Sequence, residues 1–193
     1  MTITQRTGSE QDGSDPVAAA FARRAALLDE VKVASTELAD ALCAATDELV
    51  VALYDEAVRE VESPPRVAVM ALGGYGRGQL APASDLDLLV VHETTPSRVE
   101  PIASAIWYPL WDAGLKLGHA VRTVDEQRKL SRNDLDVATS ILTARHIAGD
   151  LRLASDVVEL AHHNWVRRRT RWLGELRERV RERQVQAGEI AYI

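Results

Sequence analysis

The chain has 193 residues, 46% of them hydrophobic and 27% charged, with a net charge of −6; that is enough apolar residue for a core and an ordinary composition for a soluble domain. The negative balance argues against a general nucleic-acid binder, and Cys43, the single cysteine, excludes an internal disulfide and a thiolate-rich zinc centre. No apolar stretch approaches the ~18–20 residues of a membrane-spanning helix and no signal-peptide layout opens the chain, so no membrane association and a cytoplasmic setting are expected.

In chain order, residues 1–15 are polar and aperiodic and read as a disordered tail. From Pro16, the apolar residues Phe21, Ala25, Leu28 and Val31 recur every three or four positions, which predicts a helix. Ser35 is a candidate N-cap for a second helix carrying Leu38, Leu42, Leu49, Leu53 and Val58 near one stripe, stopped by Pro64-Pro65. Residues 16–64 therefore form an expected helical region. The next run, Arg66 to Leu72, is short, apolar and bounded by proline and glycine, as a buried strand would be.

A glycine-rich turn follows with Gly73, Gly74, Gly76 and Gly78, then Pro82-Ala83-Ser84, and then Asp85-Leu86-Asp87 opening onto Leu88-Leu89-Val90-Val91. Four aliphatic residues after the acidic pair predict a second strand. Ser97 is expected to cap a helix over Ile102, Ile106, Leu110 and Ala113 that Pro109 kinks and Gly114 ends. Trp107 and Trp111 share one of its faces and read as core packing. Leu115 to Thr123 predicts a further strand, and Ser131 or Asn133 caps a helix expected to run to Gly149, with Val137, Ile141 and Leu142 facing the core.

Leu151 to Ala187 reads as one long or once-broken helix. Its arginines 167, 168, 169 and 171 interleave with glutamates at helical spacing further on, the pattern of a solvated face rather than a phosphate patch. His162 and His163 are adjacent and so point apart, against a two-histidine metal site. Residues 188–193 end on apolar side chains with no cap, which reads as a truncated C-terminal segment. Residues 65–149 then make the core domain and residues 150–193 a helical extension.

The chemistry concentrates at Asp85 and Asp87. Residues i and i+2 of a strand point to one face, so both carboxylates project together. Such a pair repels itself unless cations intervene, and hard divalent ions such as Mg²⁺ favour carboxylate and phosphate oxygens. Two metals ~3.5–4 Å apart clamp the attacking and leaving oxygens of an in-line displacement. Gly73 and Gly74 allow close backbone approach to a phosphate chain, with N–H groups as donors, and Ser84 adds a hydroxyl beside the first carboxylate. Other phosphate motifs fail on spacing: Gln79 stands where a dinucleotide fingerprint needs its third glycine, and Arg77 and Gln79 follow the glycines where a P-loop needs Lys-Ser/Thr.

The string from Gly73 to Leu89, Gly-Gly-Tyr-Gly-Arg-Gly-Gln-Leu-x-Pro-x-Ser-Asp-x-Asp-Leu-Leu, resembles the signature of the polymerase-beta-like nucleotidyltransferase superfamily and, more narrowly, that of bacterial protein-PII uridylyltransferases. The runs from Trp111 to Thr123 and from Asp134 to Asp150 agree with the narrower family. The resemblance implies an α/β (α+β) fold, a small mixed sheet flanked by helices with helical extensions at both ends. It also implies that Asp85 and Asp87 are catalytic and bind Mg²⁺, that Gly73, Gly74 and Ser84 hold the nucleotide's phosphates, and that Arg77 supports the loop or the phosphates. The implied reaction moves UMP from UTP to a tyrosine of a PII-type signal protein and releases pyrophosphate. ATP, with PII or glutamine synthetase as acceptor, is the alternative, and a silent nucleotide-binding or docking fragment is the second.

The chain departs from the wider superfamily at one point. Where a third carboxylate is usual on a later strand, the run Leu115 to Thr123 offers His119. Asp112, Asp125 and Asp136 lie near in sequence with no spacing to select among them. His119 reads either as a buried strand histidine or as a phosphate or proton contact, and Arg122 either as a phosphate ligand or as a carboxylate's partner.

Overall fold

The computed structural model describes residues 15–29 and 35–187; the expected N-terminal tail and the C-terminal six residues lie outside them, save Asp15. The central strand β1 (Val67–Ala71) is wholly buried, as its unbroken apolar run requires. It pairs antiparallel with β2 (Leu86–His92) on one side, Ala71 opposite Leu88, and antiparallel with β4 (Arg145–Gly149) on the other. The edge strand β3 (Leu117–Thr123) runs parallel to β2. The sheet order is β3-β2-β1-β4, a small mixed sheet as expected.

Helices cover both faces. Val67, Val69, Ala71, Leu86, Leu88 and Val90 point into a core shared with α2 (Thr36–Arg59) and α4 (Pro96–Asp112). Ala68, Met70, Leu89 and Val91 point the other way, against the long helix α7 (Leu151–Ala187). This alternation follows from the two-residue period of a strand, and Asp87 shares its parity with Leu89 and Val91. The acidic pair therefore belongs to the α7 side of the sheet. Helix α1 (Pro16–Asp29) packs along α2, and Ser35 caps α2 as expected, its Oγ accepting from the Leu38 N–H at 3.2 Å.

Three sequence expectations are corrected. Helix α4 begins at Pro96 with Thr95 as N-cap, so Ser97 lies inside the first turn; proline at the first helical position is pre-set for the helix and has no N–H to lose. Helix α2 ends at Arg59, before Pro64-Pro65. The helix expected from Ser131 or Asn133 to Gly149 is three elements. Helix α5 (Val124–Asn133) starts earlier, at a reciprocal capping box between Thr123 and Glu126. Asp134 then breaks the chain, extended at φ −118°, and caps a short α6 (Leu135–Ser140) by accepting from the Asp136 and Val137 N–H groups. After a 3-10 turn (Ile141–Thr143), residues 145–149 satisfy the open edge of β1 as a strand.

Candidate active site

The residues from Gly73 to Gly76 form a single helical turn, α3, between β1 and the loop to β2. Gly73 takes a left-handed φ of +57°, which glycine adopts without a Cβ penalty. A Cβ built there would sit 2.4 Å from Asp87 Oδ2, and one built on Gly118 would sit 2.3 Å from Asp87 Oδ1. Gly118 is the residue of β3 paired with Asp87. The Asp87 carboxylate thus occupies a slot cleared by two glycines from different elements. Its main chain is fixed as well, since its carbonyl accepts from the Leu72 N–H at 2.8 Å.

Asp85 lies just outside β2, exposed and outside the lining of the cavity beside Asp87, and its charge acts on Asp87. Burial, and secondarily the Asp85 charge, raise the Asp87 carboxyl above its ordinary value. A fold that seats an acid in a slot and sets another beside it stores repulsion that a cation relieves. The donor set, two carboxylates with no soft ligand, suits a hard divalent ion. Among the described residues no cluster of three or more His, Cys, Asp or Glu side chains is arranged to hold a metal.

A cavity of about 300 Å³ opens beside Asp87, lined by Gly73, Gly118, Ala120, Arg122, Asp136 and Ser140 among others. Asp136, one of three carboxylates the sequence could not choose between, is therefore the one brought to the site; Arg179 of α7 pairs with it. The turn is anchored from behind. Tyr75, fully buried, donates to Asp47 Oδ1 of α2 at 2.6 Å, and Arg145 of β4 grips the same carboxylate at 2.6 and 3.1 Å. Burial, with the Asp47 carboxylate, pushes the Tyr75 hydroxyl well above its ordinary pKa, and the hydrogen bond to Asp47 raises the Arg145 guanidinium. Gly76 completes the join, because a Cβ there would meet the Thr143 carbonyl at 2.6 Å.

The other expected ligands are distributed differently. Ser84 Oγ accepts from the Ala81 N–H at 2.9 Å and does not line the cavity. Arg77 bonds Gln79 Oε1 at 3.0 Å and faces a separate hollow beside Thr36 and Asp40. Gly74 packs near the Gln79 carbonyl. His119 is exposed rather than buried; its position alternates with Asp87's across the sheet and its ring meets Trp107 and Trp111 at 5.5 and 5.1 Å between centroids, yet it also borders the Asp87 cavity. Trp107 is core, as expected, whereas Trp111 is 40% exposed. Arg122 shares the Asp87 face, one strand over, and bonds the Gln127 amide rather than a carboxylate.

Residues 54–148 match the nucleotidyltransferase domain family, and they contain the glycine turn, the acidic pair and all four strands but the last residue of β4. Over that stretch the chain belongs to the nucleotidyltransferases and is an enzyme domain of the transferase type. The chain is also similar to several longer proteins. A bifunctional uridylyltransferase/uridylyl-removing enzyme of Streptomyces coelicolor is 38% identical over 79% of this chain, and those of Phenylobacterium zucineum and Mycobacterium tuberculosis are 48% and 41% identical over 64% each. The chain spans only 18, 14 and 16% of those three relatives. No helix among the described residues is long and apolar enough to cross a membrane.

Proposed function

We propose that this domain transfers UMP from UTP to a tyrosine hydroxyl of a PII-type signal protein in the cytoplasm, with Mg²⁺ and release of pyrophosphate. The observation that carries the reading is Asp87 seated between Gly73 and Gly118 at the cavity, with the charge of Asp85 acting on it. The uridylyltransferase relatives favour UTP over ATP as donor. Asp85 and Asp87 are the residues that would hold the divalent ions. Bound there, such an ion would supply charge neutralisation for the triphosphate and the leaving group. In the transfer, the tyrosine oxygen forms the new P–O bond, the bond from the α-phosphorus to the bridging oxygen breaks, and the phenol proton leaves to solvent.

This chain's residues do the positioning. The slot fixes the Asp87 carboxylate, the helical turn presents its first N–H groups, which have no acceptor within the turn, and the Tyr75–Asp47–Arg145 network holds that turn against α2 and β4. The test incubates the chain with a PII-type protein, Mg²⁺ and UTP or ATP, and weighs the acceptor. A uridylyl mass increment on a tyrosine, dependent on Mg²⁺, is expected. An adenylyl increment would reassign the donor, and Mg²⁺-dependent nucleotide binding without any transfer would make the domain a binding module.

A further inference from the structure

We propose that Arg122, held by Gln127, is the cation of this cavity that binds the phosphate chain of the donor nucleotide; this rests on the nucleotidyl-transfer reading above. Residues 118, 120 and 122 of β3 share the face that carries Asp87, because β3 pairs with β2 in register, Gly118 with Asp87 and Arg122 with Val91. All three line the cavity with Asp87, and Arg122 is the one Lys or Arg among its lining residues.

At the cavity, Arg122 is held by a neutral partner. Its Nη1 donates to Gln127 Oε1 at 2.8 Å. Gln127 is 2% exposed and is itself fixed, its Nε2 donating to Ser131 Oγ at 3.2 Å while that hydroxyl donates back to the Gln127 carbonyl at 2.8 Å. The Thr123–Glu126 capping box sets where α5 begins, at Val124, three residues before Gln127. A neutral amide aims a guanidinium without cancelling its charge, and four of the five N–H donors remain for another acceptor. Arg145, Arg66 and Arg179 end on the carboxylates of Asp47, Asp150 and Asp136, whereas Arg122, like Arg132 on Asn164 and Arg24 on Thr46, ends on a neutral group, and of these three it is the one that lines the cavity. Among the described residues no carboxylate forms an ion pair with Arg122.

An oriented, un-neutralised guanidinium beside a slotted carboxylate is complementary to a metal–phosphate ligand, in which cation and anion arrive together. The metal meets Asp85 and Asp87, and phosphate oxygens take the planar fork of Arg122. Gln127 and Ser131 act through Arg122 and are positioning residues.

Calorimetric titration with Mg-UTP and with Mg-pyrophosphate tests this on the wild-type chain and on R122Q, R122K, Q127L and R122Q/Q127L, each first checked for an unchanged melting profile. R122Q should weaken both ligands by about 10- to 100-fold, the worth of a charge-assisted hydrogen bond, and R122K should recover part of the loss. Q127L should weaken both less, and the double variant should add little to R122Q. Equal affinity of R122Q and wild type for Mg-UTP would overturn the proposal, as would a loss confined to UTP, which would put the contact on the nucleoside. A wild-type chain that binds neither ligand would instead overturn the transfer reading on which the proposal stands.

Discussion

Asp87 and Gly118 face each other across the parallel pair β2–β3, and a Cβ at position 118 would come within 2.3 Å of Asp87 Oδ1. The clash falls on the free end of a side chain rather than on backbone, so the carboxylate moves and the strand does not. Gly118→Ala should therefore lower transfer by about 10²-fold, the usual consequence of a catalytic group misplaced by an ångström, with the melting temperature nearly unchanged. Gly73→Ala should show the same loss together with lower stability, since position 73 also needs φ of +57°. Steady-state rates and melting curves on the two variants separate these effects.

Asp87 also bears on stability. Its carboxyl is raised above its ordinary value by burial and by Asp85. A group whose folded pKa is raised costs stability once it is ionised in both states, so the cost is present at neutral pH and fades as pH falls through the folded value. Asp87→Asn in metal-free buffer should raise the melting temperature at pH 7, and the gain should shrink towards pH 4. Thermal melts across that range check the sign.

The Tyr75–Asp47–Arg145 network predicts a graded series. Tyr75→Phe removes one hydrogen bond to a carboxylate, about 1–2 kcal/mol. Asp47→Ala leaves both Tyr75 and Arg145 without their acceptor; because Arg145 and Asp47 are 36% and 30% exposed, the cost should be about 2 kcal/mol, less than for a fully buried pair. Urea unfolding gives these values. Because the network holds the glycine turn, both variants should also lose turnover.

Much of this arrangement was legible in the sequence. Strands β1 and β2 stand out as apolar runs between punctuating residues, and the acidic pair at the mouth of β2 announces itself by its i, i+2 spacing. Gly118 lies unremarked within the run that predicts β3, because its partner is set by a register that only the folded sheet shows. Asp47 sits on a helix among other acids, and nothing local marks it as the anchor of a turn 28 residues later. The break at Asp134 was hidden by Val137, Ile141 and Leu142, whose helical spacing outweighed a capping residue, while β4 exists because β1 needs a second hydrogen-bonding neighbour. Arg122 stayed ambiguous since its partner, Gln127, is an amide on the next element.

At the start of α7, Asp150 caps the helix by accepting from the Leu153 N–H at 2.9 Å and pairs with Arg66 at 2.8 Å. The Arg66 hydrogen bond, then the Leu153 N–H, lower its carboxyl to about 2. A depressed folded pKa gives stability that is full above the ordinary Asp value of about 3.9 and is lost as pH falls through the folded value. The gap in melting temperature between wild type and Asp150→Asn should be constant above about pH 5 and should close towards pH 2.

Asp85 and Asp87 together are the proposed chemical centre. The most direct measurement compares wild type with Asp85→Asn/Asp87→Asn for Mg²⁺-dependent nucleotidyl transfer to a PII-type acceptor, with circular dichroism on both. The double variant should show an intact fold, a melting temperature no lower than wild type, and no transfer above background. Transfer retained near the wild-type rate by a folded double variant would contradict that assignment.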